Sequence, residues 1–103
     1  MSFIMLRLSD VLKRKPDSRS STYNQISDGT FMEPVKLGPR TSAWPDYEVD
    51  AIITARIAGW TDDEIRLLVW GLVELRKTIP SKTTGDIRQY VADLMAGIRG
   101  GAA

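Results

Sequence analysis

Glu33-Pro-Val-Lys-Leu-Gly-Pro-Arg-Thr-Ser-Ala-Trp44 is the stretch whose reading decides the fold. It divides into two short runs, residues 34–37 and 41–44, on either side of Gly38-Pro39-Arg40. A Gly-Pro pair marks a turn, because glycine has no Cβ to restrict it and proline presets φ. The expected element is a β-hairpin, with Lys36 beside the tip and Arg40 on it.

Working back from the hairpin, Ser18-Arg-Ser-Ser-Thr-Tyr23 reads as the start of a helix over 18–27. Asp17 or Ser18 is the expected N-cap, and Asp28-Gly29 the stop, since glycine readily takes the left-handed conformation that ends helices. Thr22, Tyr23 and Ile26 have the spacing to face a core. A shorter helix over 10–15 precedes it, with Ser9 as cap, Val11 and Leu12 inward and Pro16 as terminator. Phe3, Ile4, Leu6 and Leu8 are expected to pack beneath that helix, and Phe31 to dock in the core ahead of the hairpin. A helix that begins in polar donors and is followed by a basic hairpin is the arrangement with which a winged helix-turn-helix grips DNA.

Three further helices follow the hairpin. Pro45 suits the first turn of one that ends at Gly59, with Val49, Ile52, Ile53 and Ile57 as its apolar stripe. Thr61-Asp-Asp-Glu64 is a capping box, opening a helix to about residue 77 that is apolar nearly all round and so should be buried on more than one side. Pro80 and Ser81 close it. Ile87, Tyr90, Val91, Leu94, Met95 and Ile98 then form a regular stripe over 84–98, weakened at its end by Gly97, Gly100 and Gly101. The expected class is mainly α: a winged helix-turn-helix of three helices and a two-stranded wing over 1–58, with a two-helix extension over 59–103 as a packing or oligomerisation element.

Composition narrows the function. The 103 residues contain neither cysteine nor histidine, which removes disulfides, thiolate metal sites and the commonest general base. The acidic residues Asp46, Glu48, Asp50, Asp62, Asp63 and Glu64 lie at helix starts, where the dipole favours them, rather than in a metal or acid/base pattern. No enzyme activity, metal or cofactor is expected. Residues 1–8 lack the basic region and apolar length of a secretory signal, and no segment approaches the roughly 20 apolar residues of a membrane span, so a cytoplasmic location is expected. The net charge of +1 hides a segregation: residues 1–44 carry seven Lys/Arg against four Asp/Glu, and residues 45–77 four against seven. The positive excess lies with the proposed DNA-contacting half.

Over its first 58 residues the chain resembles the AlpA family of prophage and mobile-element DNA-binding regulators. The resemblance is carried by Leu6-Arg-Leu-Ser-Asp-Val11, Ser18-Arg-Ser-Ser-Thr-Tyr23, Ile26, Gly29, Phe31, Pro34-Val-Lys-Leu-Gly-Pro-Arg40, Trp44 and Glu48-Val49. It implies a small winged helix-turn-helix akin to MerR-type regulators and phage excisionases. Such proteins activate transcription or act as recombination directionality factors beside an integrase. The chain departs from the family's usual pattern at Lys15-Pro16-Asp17 in the turn, Asn24 after the helix tyrosine, Met32 after Phe31, and Ile52 where a second tryptophan is common.

The expected DNA-binding set is Ser18, Arg19, Ser20, Ser21, Tyr23, Asn24, Lys36, Gly38, Arg40 and Thr41. Arg19 suits a guanine edge and Asn24 an adenine, while free N–H groups at the helix start favour phosphate. Tyr23 has two readings, a hydroxyl donated to phosphate or a ring in the core, and the resemblance favours the first. Lys36 and Arg40 are read as minor-groove or phosphate contacts against the alternative that they only protect a hairpin edge. Arg7, Lys13, Arg14 and Lys15 form a looser basic group near phosphate. The expected partners are double-stranded DNA, further copies of the chain on DNA, and an integrase or RNA polymerase. The alternative is a non-catalytic interaction module working through the apolar C-terminal helices.

Overall fold

The computed structural model describes residues 4–78 and 84–99. These form β1 (Met5–Leu6), α1 (Leu8–Arg14), α2 (Arg19–Asp28), β2 (Val35–Gly38), β3 (Thr41–Pro45), α3 (Asp46–Ile57), α4 (Asp62–Leu75) and α5 (Thr84–Arg99). The winged helix-turn-helix is as expected, with one addition. The sheet has three strands in the order β1-β3-β2, both pairs antiparallel. Met5 pairs with Pro45 and Leu6 with Trp44, so the wing is anchored to the N-terminus. Two residues are too few for an alternating pattern, and β1 was therefore not visible in the sequence.

Local signals place most helix ends. The Ser18 hydroxyl accepts the Ser21 N–H at 3.1 Å and caps α2. Gly29 ends α2 at φ 82, a left-handed conformation that a Cβ would strain. Thr61 Oγ1 accepts from Glu64 N–H, and the Glu64 carboxylate accepts from Thr61 N–H, completing the capping box of α4. The start of α1 differs from expectation. The N-cap is Arg7, whose N–H donates to the Asp10 carboxylate at 3.2 Å, and Ser9 lies inside the helix.

One hydrophobic cluster runs from Leu6 to Val91, taking in Val11, Phe31, Trp44, Val49, Ile65, Leu68, Leu72 and Ile87. Trp44 is its hinge: the indole N–H donates to the Met32 carbonyl at 2.8 Å, and its ring lies 5.8 Å from that of Phe31. The exit of α2 is thereby fixed to the base of the wing. Gly71, in mid-α4, marks a close approach, because a Cβ there would lie 2.6 Å from Leu94 Cδ1 on α5.

Several burial expectations are corrected. Tyr23 is 48% exposed and lies outside the core, whereas Thr22 is fully buried. Ile57 projects into solvent because α3 turns its Ala51 and Ala55 inward instead. Ile4 is exposed as well, while Leu6 is buried. Helix α4 is not buried all round: Ile65, Leu68, Val69 and Leu72 face the core, but Leu67 is 57% and Trp70 67% exposed. Phe3, Pro80, Ser81, Gly100 and Gly101 lie outside the described residues.

Candidate nucleic-acid interface

Helix α2 buries little, which leaves it free to present a polar face. Arg19, Ser20, Tyr23, Asn24 and Ser27 are exposed and recur at i, i+1, i+4, i+5 and i+8, one stripe of an α-helix. Four of these were predicted from the sequence. Ser27 was missed, although helical spacing from Tyr23 points to it. The opposite side holds Thr22, whose hydroxyl donates to the Ser18 carbonyl at 3.1 Å, and the half-buried Ile26. Ser18 and Ser21 are engaged locally, with the Ser18 hydroxyl 3.1 Å from that of Ser21, so the pair shapes the helix start.

The turn before α2 is built by a lysine that points inward. Lys15 is buried, with its ammonium 2.7 Å from Gln25 Oε1, 3.2 Å from Asp17 Oδ2 and 4.1 Å from the Phe31 ring centroid. Burial pushes its pKa below the ordinary lysine value, against the opposing pull of Asp17. Burial pushes the Asp17 carboxyl up, but the hydrogen bond from Gln25 and the Lys15 ammonium hold it below its ordinary value. Lys15 therefore leaves the basic group expected near phosphate. Arg14 is also engaged, 2.8 Å from Asp50 at the surface.

The wing carries the remaining predicted residues. Lys36 pairs across the hairpin with Ser42, and Gly38 with Thr41. Lys36 and Arg40 are exposed, Gly38 and Thr41 partly so, and apart from its two chain neighbours no residue has a heavy atom within 4 Å of where a Gly38 Cβ would sit. The tip thus leaves room for another molecule close to its backbone.

Ion pairing divides the described cations into two groups. Arg14, Lys15, Arg56, Arg66, Arg76, Lys77 and Arg99 each lie within ion-pair distance of a carboxylate. Among the described residues, Arg19, Lys36 and Arg40 form no ion pair, and neither do Arg7 and Lys13. These five, among the described residues, all belong to residues 1–44. Exposed cations outside any pair are the groups that neutralise phosphate and release counterions.

Several of the acidic residues have internal partners. Glu48 is fully buried and takes two hydrogen bonds from Arg76, a pairing that 28 residues of separation hid from sequence reading. Asp62 pairs with Arg56 and Asp63 with Arg66. Among the described residues, no group of His, Cys, Asp and Glu could hold a metal ion, and no helix is long and apolar enough to cross a membrane.

Residues 4–70 match the family described as Prophage CP4-57 regulatory protein (AlpA), a span that includes α1, α2, the wing, α3 and most of α4. No curated protein and no solved structure matches the chain.

Proposed function

The chain belongs to the AlpA family of prophage regulatory proteins, and from that premise we propose that it binds duplex DNA sequence-specifically to regulate a prophage or integrative element. The exposed face of α2 enters the major groove, where Arg19 and Asn24 read base edges and Tyr23 donates its hydroxyl to a phosphate. Lys36 and Arg40 hold the wing against the minor groove or its phosphates, with Gly38 and Thr41 at the backbone contact. DNA contact falls to residues 1–58, and packing and self-association to 59–103.

The observation that carries this reading is the charge usage. Seven cations are matched internally, while Arg19, Lys36 and Arg40, together with Arg7 and Lys13, are exposed and form no ion pair among the described residues. A salt titration tests it directly. Specific binding should weaken with a log–log slope near about −0.9 per phosphate contacted, and a flat, weak response would leave a protein-interaction module as the better account.

Regulation takes one of two forms, assistance of integrase-mediated excision or recruitment of RNA polymerase. Excision with the cognate integrase in vitro separates them. Excision that proceeds without the protein, beside a promoter that responds to it, selects transcription.

A single small module buries only roughly 600–1,000 Å² on DNA, so occupancy gains from neighbouring copies. Exposed Leu67 and Trp70 on α4 favour self-association, for which the proposed occupant is a second copy of this chain. Adjacent copies would bend the duplex as they assemble.

A further inference from the structure

Leu37 is an exposed apolar side chain between the two cations of the wing, Lys36 and Arg40. Its neighbour Lys36 pairs with Ser42, and strict antiparallel pairing would then set Leu37 opposite Thr41. Instead Gly38 takes that place, so the register slips by one residue and Leu37 is the extra one. The slip has a consequence for direction. Alternation would put Leu37 on the same side as Val35, which pairs with the buried Ala43. With the bulge, Lys36 and Leu37 are both exposed, and 53% of the leucine is left in water. Bulges commonly re-aim a side chain beside a functional site. Pro39 is exposed next to it, and the space around Gly38 is open.

We propose that Leu37 is a wedge that enters the minor groove of duplex DNA between Lys36 and Arg40 and partly unstacks one base step. The inference rests on the DNA-binding reading above and adds to it the residue that deforms the duplex. Its occupant follows from charge: Lys36 and Arg40 flank the leucine without any ion pair among the described residues, as a polyanion requires. Apolar side chains, leucine and proline among them, are the ones that insert at minor-groove steps, kinking DNA by about 20–90° toward the major groove. The cations neutralise the phosphates on either side while the leucine fills the opened step. Flexible pyrimidine–purine steps deform most easily, so the wedge selects for such a step without hydrogen-bonding to a base.

The test uses the full chain and a duplex of roughly 20–30 bp that it enriches from a random pool, carrying end labels for energy transfer and 2-aminopurine placed step by step. Wild type should bring the ends closer and raise 2-aminopurine emission at one step. Leu37→Ala should still bind at saturating protein but lose most of the end-to-end change and the emission rise, while Leu37→Met keeps both. Circular dichroism should show the same helix content in each variant. Leu37→Ala that bends the duplex like wild type overturns the wedge and leaves DNA binding intact. Leu37→Ala that keeps the bend but loses binding of a second copy makes Leu37 a protein contact and overturns the wedge as well. Enrichment of no duplex at all overturns the DNA reading itself and the wedge with it.

Discussion

Arg76, at the C-cap of α4, grips Glu48 in the first turn of α3 with two hydrogen bonds, Nε to Oε2 at 2.8 Å and Nη2 to Oε1 at 2.6 Å. The same Nη2 donates to the Glu33 carbonyl at 2.8 Å, immediately before the wing. One guanidinium therefore ties the end of α4 to the start of α3 and to the base of the hairpin. Glu48 is fully buried, and that burial pushes its pKa above the ordinary glutamate value even with Arg76 beside it.

Arg76→Ala strands the buried carboxylate and should cost about 3–5 kcal/mol, measured by denaturant unfolding at neutral pH. The double variant Glu48→Met, Arg76→Met should recover much of that loss. The sign of the pH dependence is distinctive. In Arg76→Ala the folded pKa of Glu48 rises further, so the folded state holds its proton more tightly than the unfolded chain does. Stability is then greatest below the ordinary value of 4.5 and falls as pH rises from there to the folded pKa. A variant that loses stability on acidification through that range contradicts the account.

The opposite sign holds at the start of α4. The Thr61 N–H, followed by Arg99, holds the Glu64 carboxyl below its ordinary value. Its contribution is present above 4.5 and is lost as pH falls through the lower folded value. Glu64→Gln should flatten the acid limb of the stability profile in that window. Thr61→Ala should cost about 0.5–2 kcal/mol at neutral pH through loss of the cap, read by thermal melts at several pH values.

Trp44→Phe keeps a ring against Phe31 but leaves the Met32 carbonyl without its indole donor. The expected cost is about 1–3 kcal/mol by denaturant unfolding. Since this bond joins the exit of α2 to the wing, affinity should drop evenly across DNA sequences, with no change in the sequence preferred.

Arg19→Ala and Asn24→Ala should each relax preference at one base position by about 1–3 kcal/mol in a binding-site selection. Arg40→Ala should weaken binding to all sequences and make the salt slope shallower by about 0.9, one phosphate contact. Normal binding by both Arg19→Ala and Arg40→Ala overturns the docking described above.

Trp70→Ala should leave stability within about 0.5 kcal/mol, as expected for an exposed position. Sedimentation at increasing concentration should show less self-association than wild type. Unchanged association would move the contact away from this face of α4.

The sequence by itself determined the elements whose signals are local. Ser18, Gly29 and the Thr61–Glu64 box mark helix ends through hydrogen bonds and dihedrals only a few residues long. Gly38-Pro39 marks the hairpin in the same way, and helical spacing already put Arg19, Tyr23 and Asn24 near one another. The tertiary structure decided what depends on partners far along the chain. It brought Met5 and Leu6 to the wing, took Lys15 inward to Asp17, Gln25 and Phe31, and joined Glu48 to Arg76. It also turned Ile57 and Trp70 outward and slipped the wing register so that Leu37 faces solvent. A charge or an apolar residue reads the same in sequence whether or not it is matched. Burial and pairing are set by packing against other elements, so only the folded chain separates the cations that hold the protein together from those left for a partner.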